Sequence, residues 1–395
     1  MSTQTPTRFE DEARSALGEV RGAYLDLLDE LGAGQRAADL QGQLRLDKKL
    51  AWRIRRLADA PDPLQAASYA PSLVSARRVA SAAKGAGVSS EVLERLVEVT
   101  GRLERCVAER AADRSSFEAM AAASAGRGLD SILDDARRSA FRANVLLHGK
   151  SSELSVFVFG LAPGAAPGRL AAFNLRGHLG LQRLRPDASL ELASHRMERD
   201  GQAVSGARPL DDDAPPELGA PVLTEFSSEL LPALLSEVAQ AGFQRTLLSH
   251  PDLGLGGALE VVLGERIDEL ELDPSAMGSL CAVGTPTRQL VHDFLIHRDL
   301  PLATPELRLL ARSTTEPAWA EPGAPGTLPC ACAVRSLRLT KGEANLPGWG
   351  RHYALLQFAL ERMGWRAEEF VLHRVVMDFP VLHSVAWLRA ARLTS

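Results

Sequence analysis

The chain has 395 residues, with 45 Lys+Arg against 50 Asp+Glu, a formal net charge of -5 and 45% apolar residues. That is a globular composition. It excludes wholesale disorder, a collagen-like repeat and, with only four cysteines, a disulfide scaffold. The slightly acidic total also excludes a uniformly basic nucleic-acid coat.

At about 100–200 residues per domain, the length predicts two or three domains. The first residues, MSTQTPTRFEDEARSALGE, have no basic region leading into an apolar one, and no stretch approaches ~18 apolar residues. The expectation is a cytoplasmic protein without a membrane partner. The Ala, Arg, Leu and Gly richness points to a bacterial source.

Apolar residues at spacings of three and four predict a helix over 9–31, with Glu10, Asp11 and Glu12 in its first turn and Gly32 after its end. A short helix follows at 35–43. After a Leu44-Arg45-Leu46 corner, Asp47 is placed to cap a helix over 48–59, which Pro61 and Pro63 stop. Further helices are predicted over 72–85, 90–112 and 131–147, and over 116–124 behind a Ser115-Ser116-Phe117-Glu118 capping box.

The character changes at Ser151. Runs rich in Val, Leu and Phe predict strands over 153–160, 180–186, 189–197, 257–264, 278–284, 289–297, 331–339, 370–378 and 382–391. Helices are predicted at 225–240 and 349–364, and Pro/Gly-rich linkers at 201–221 and 313–328. The fold class is therefore α+β. An all-helical domain spans 1–150, and a mixed, largely antiparallel domain spans 151–395.

The net charge is an average over unlike parts. Residues 1–150 carry +2 and residues 151–395 carry -7. Within the first part, residues 34–60 hold seven basic residues (Arg36, Arg45, Lys48, Lys49, Arg53, Arg55 and Arg56) against Asp39, Asp47 and Asp59. A focused basic segment of this kind is a candidate nucleic-acid contact.

Residues 36–57, RAADLQGQLRLDKKLAWRIRRL, resemble the helix-turn-helix of bacterial transcription regulators, closest to the MarR-like and ROK-like versions. The resemblance covers about 25 residues. It implies that Leu40 and Leu44 face inward from the first helix, that Leu46 closes the turn, and that Ala51, Ile54 and Leu57 anchor the second. The segment departs from the pattern at Arg45, where glycine is usual, at Gln41, where a small residue is usual, and in having no β-hairpin wing after it.

The second helix of such a pair enters the major groove while the first braces it across the backbone. Lys48, Lys49, Trp52 and Arg53 are then the base-reading candidates, and Arg45, Arg55 and Arg56 the phosphate contacts. The expected partner is double-stranded DNA. A homodimer would read two half-sites, with the long helices 9–31 and 90–112 as dimerisation elements. The acidic domain would sense a small-molecule effector or make protein contacts.

Two other classes stand beside that reading. One is an enzyme of unknown chemistry built on His292, Asp293, His297 and Asp299, the densest titratable cluster of the chain. The other is an interaction scaffold. His292 and His297 fall on opposite faces of a strand, so metal ligation by the pair is not expected. Cys330-Ala-Cys332 lacks a second pair to complete a zinc site. No phosphate-cradling glycine loop or nucleophile elbow is present, so no metal or cofactor is expected.

Overall fold

The computed structural model describes residues 8–32, 36–126, 129–196, 207–211, 221–240, 243–249, 252–271, 277–311 and 326–393. The chain divides into two compact units, Met1–Leu133 and Asp134–Ser395. The first is helical and the second is built on mixed sheets, so the class is α+β.

Unit 1 holds α1 (Arg8–Glu30), α2 (Ala37–Leu44), α3 (Lys48–Asp59), a 3-10 turn over Pro63–Tyr69, α4 (Leu73–Gly85), α5 (Ser90–Arg110) and α6 (Arg114–Ala125). The stripe Ala13, Leu17, Val20, Tyr24 and Leu27 of α1 is buried in one core with Leu96, Val99 and Leu103 of α5. Arg110–Glu12 at 2.6 Å and Arg102–Glu19 at 2.7 Å flank that seam. The apolar faces of the two helices offered above for dimerisation are therefore spent inside this core.

Helix α5 starts on Ser89, whose Oγ accepts from Val92 N. Helix α6 starts two residues earlier than the Ser115 box predicts. Asp113 caps it by accepting from Ser116 N at 2.7 Å, and Glu118 pairs with Arg114 instead.

Helix α7 (Leu129–His148) closes the helical run, but the unit boundary falls inside it rather than at residue 150. The reason is its packing: Arg138 and Phe141 lie on the Phe379 ring, and His148 meets His383.

Unit 2 centres on a seven-stranded sheet. Its strands are β1 (Lys150–Pro163), β2 (Arg169–Arg183), β4 (Arg208–Pro209), β7 (Leu259–Glu271), β9 (Thr287–His297), β12 (Arg335–Leu337) and β13 (Phe370–Asp378), in the order β12-β13-β9-β1-β2-β7-β4. All pairings are antiparallel except β1 with β9. Helix α9 (His352–Arg362) covers one face, where Leu355, Leu356 and Ala359 meet Val156, Val158, Phe173, Leu295 and Leu372. Gly160 lets Phe173 join that core, since a Cβ there would stand 2.2 Å from the Phe173 ring.

The other face meets a second sheet of β8 (Gly278–Ala282), β10 (Glu306–Ala311), β11 (Thr327–Leu328) and β14 (Ser384–Arg389). Phe157, Leu290 and Met377 there face Cys281, Leu309 and Ala386. A third sheet joins β3 (Leu190–Arg196), β5 (Leu235–Gln240) and β6 (Phe243–Leu248).

The helix expected over 225–240 is not formed. One turn, α8 (Leu231–Leu234), gives way to β5. The leucine spacing there serves a hairpin, with Leu235 opposite Leu248 and both packed with Leu190 and Val261. Tertiary pairing overrode the local helical pattern. Strand β2 also begins well before the expected 180. Leu170 and Ala172 are buried along it, and after a one-residue change of phase so are Phe173, Leu175, Leu179 and Leu181. The linkers expected at 201–221 and 313–328 fall mostly outside the described residues.

Candidate functional site

In unit 1, three residues, Arg45 to Asp47, join α2 to α3. Arg45 takes up the left-handed conformation there, φ 49 and ψ 39. A turn this tight between two helices needs one such residue, which is why glycine is the usual occupant. Asp47 follows in extended geometry, and its Oδ1 accepts from Leu50 N at 2.8 Å. Its other oxygen receives Arg78 at 3.3 Å.

Leu40, Leu44, Leu46, Leu50, Ala51, Ile54 and Leu57 are all buried in the core of unit 1. The six residues that the resemblance implies face inward are all among them, and Leu50 joins them. This packing leaves the opposite face of α3 to solvent.

The basic residues of that face differ in what they can do. Lys48 and Lys49 are exposed at the first turn and, among the described residues, pair with no carboxylate. Arg45 is exposed beside them in the same condition. Trp52 is 47% exposed and stands edge-on to Tyr69. Arg56 lies over both rings, 5.7 and 5.6 Å from their centroids.

Arg53 is used internally. Its Nη2 donates to Ser68 O at 3.2 Å and Ala70 O at 2.9 Å, holding the end of the 3-10 turn against α3. Arg55 donates to Asp59 at 3.4 Å and is half-buried. Sequence spacing assigned these two to the outward face. It could not foresee a segment many residues later folding back to take up Arg53. An open cleft of about 550 Å³ borders this face, where Lys49, Trp52 and Tyr69 meet Glu104 and Glu118. Both carboxylates are paired with Arg114.

In unit 2 the structure separates the titratable cluster on β9. His292 points to the second sheet and shares a 2.7 Å hydrogen bond with Ser279 Oγ. Burial pushes its pKa down to about 3, so it is neutral near pH 7. Asp293 points to the opposite face and is fully buried. Arg374 holds it with two hydrogen bonds of 2.7 Å, and His352 Nε2–H donates to it at 2.8 Å. Arg374 also donates to Ala344 O at 2.7 Å.

Burial alone would raise the Asp293 carboxyl. The Arg374 and His352 hydrogen bonds and charges outweigh burial and hold it below the usual carboxylate range. His297 stands at the strand end within 3.6 Å of Glu369 and 3.8 Å of Asp299, and Asp299 is exposed. These four residues do not converge on one cavity.

Arg374 and His352 were not singled out by spacing. The signal for a partner was an aspartate inside the apolar run Val291–Ile296, because a buried carboxylate requires one. Among the described residues, no group of three or more His, Cys, Asp and Glu is placed to hold a metal ion. No helix among the described residues is long and apolar enough to cross a membrane.

No family model and no curated protein matches the chain. One solved structure is similar: a chain from Parabacteroides distasonis, provisionally described as a protease, at 9% identity and TM-score 0.25. It covers 61% of this chain and 40% of that one. A likeness at that TM-score carries no argument about fold or activity.

Proposed function

We propose that the segment α2–turn–α3 binds double-stranded DNA and that the chain is a transcriptional regulator. Unit 2 would supply the sensing or protein-contact function, and a dimer would read paired half-sites. The observation that carries this reading is the placement of Lys48 and Lys49. They occupy the first turn of α3, which contains no acidic residue. The helix dipole is positive there, the Asp47 carboxylate that caps it is shared with Arg78, and each added cation costs up to about 1 kcal/mol.

An arrangement that opposes folding in this way suits an anion brought in from outside. A phosphate backbone meets Lys48, Lys49 and the adjacent Arg45 together, at the end of a helix shaped for a major groove. Trp52 is placed for base edges, and Arg56 flanks it toward the backbone. Arg53 and Arg55 leave the contact list because their guanidinium groups serve the fold.

The test is immunoprecipitation of the protein with genomic DNA, with gel-shift titrations of enriched sites, for wild type and the double variant Lys48→Glu plus Lys49→Glu. The expected result is discrete enrichment that the variant loses. The wild-type affinity should fall with salt at a slope of about -0.9 per phosphate contacted. The variant should melt at the wild-type temperature or slightly above it, because it removes the conflict with the dipole. Absence of enrichment in wild type would refute the proposal, and a monomeric mass at binding concentrations would refute the dimer.

A further inference from the structure

We propose that unit 2 carries a binding site for a short monocarboxylate of two to four carbons, in the cavity between β1, β2 and the loop that follows β8. The cavity measures about 60 Å³. A water needs about 10–15 Å³ by this measure, so the space suits a ligand of a handful of heavy atoms.

One wall is polar. Ser155 Oγ lies 2.9 Å from His178 Nδ1 and 2.5 Å from Thr287 Oγ1. Both hydroxyls are more than nine-tenths buried. Arg176 projects from β2 on the same side as His178 and also lines the space. Glu265, which does not line the cavity, pairs with Arg176 at 4.0 Å. The other wall is apolar, formed by Phe157 and Leu290 among others.

No Asp or Glu lines the cavity. Burial, with Lys150 and Arg176 nearby, pushes His178 down to about 4. The imidazole is therefore neutral near pH 7, in surroundings of positive bias. With Nδ1–H donating to Ser155 and Ser155 donating to Thr287, the Thr287 hydroxyl and the Arg176 guanidinium are left as donors.

These features select the ligand. A cation would meet Arg176 and find no carboxylate in the lining to hold it. A neutral ligand would desolvate the guanidinium without pairing it. Phosphate would satisfy the donors but not the apolar wall. A short carboxylate does both: its head takes the charge-assisted hydrogen bonds and its alkyl end displaces water from Phe157 and Leu290.

Isothermal titration of the full chain with acetate, propionate, butyrate and inorganic phosphate, at constant ionic strength and without DNA, tests this directly. Saturable binding of a carboxylate at one site is expected, with phosphate weaker. Arg176→Met should weaken it by about tenfold or more, as loss of a hydrogen bond to a charged group does. Arg176→Lys should restore part of the affinity. Unchanged circular dichroism would show that the variants fold.

Absence of carboxylate binding in wild type would overturn the proposal. So would equal affinity in Arg176→Met, or phosphate binding as tight as carboxylate. Since no step involves DNA, these outcomes leave the reading of unit 1 untouched.

Discussion

Asp293 shows what one residue can demand of a fold. A carboxylate removed completely from water is tolerated because Arg374 supplies a two-pronged contact and His352 a third hydrogen bond. Such a network adds little over a well-packed apolar one, but breaking it by removing one partner is costly. Arg374→Met should therefore lower the stability of unit 2 by about 3–5 kcal/mol, read from urea unfolding. Asp293→Val in the same background should recover a large part of it. A loss below about 1 kcal/mol would mean that water reaches Asp293 once the arginine is gone.

The existence of a partner was legible in the sequence, because Asp293 interrupts an apolar run. Its identity was not. Arg374 and His352 lie 81 and 59 residues away, and only the register of β13 on β9, which sets Arg374 opposite Asp293, brings the first of them in.

At the scale of elements, the α2–α3 corner was almost fully legible. Helix α3 begins and ends where predicted, and Asp47 caps it. Local rules decide such a corner: a cap, a buried apolar stripe and one left-handed residue. Arg45 carries two effects that substitution can separate. Arg45→Gly relieves the left-handed backbone and should raise stability by up to about 1 kcal/mol, while reducing the salt slope of DNA binding by about one. Arg45→Ala should reduce that slope equally without the gain in stability. An unchanged slope in both would place Arg45 outside the contact.

The strand β5 shows the opposite case. Leucines at helical spacing there face a hairpin partner and a shared core, so the pattern that predicted a helix belonged to the pairing.

At the scale of the whole molecule, the two units differ in how they meet acid. All nine histidines lie at or after residue 148, in unit 2. Burial pushes His178 down to about 4, with help from Lys150 and Arg176, and alone pushes His292 to about 3 and His373 to about 4. The unfolded chain titrates its histidines near 6.5. Above that pH both states are neutral and this stabilisation is fully present. As pH falls toward 4, the unfolded state takes up about three protons that the folded state refuses, so stability is lost through this window.

Unit 2 should therefore unfold at lower urea concentrations as pH drops from 7 to 4.5, while unit 1, lacking histidine, changes little. Far-UV circular dichroism across that range, with Trp52 fluorescence for unit 1, gives the comparison. A midpoint for unit 2 that does not move would show its histidines to be solvated.

The sequence by itself determined the helices of unit 1, the inward and outward faces of α2 and α3, the α+β class and the opposed charges of its two parts. These follow from periodicity, capping and composition, which act over a few residues at a time. Only the tertiary structure decided that Arg53 serves Ser68 and Ala70 rather than an outside ligand. The same holds for the separation of His292 from Asp293 across a sheet, and for the meeting of Ser155, His178 and Thr287 at one cavity. Each of these depends on strand register or a returning loop, set by burial over the whole unit and invisible to any local window.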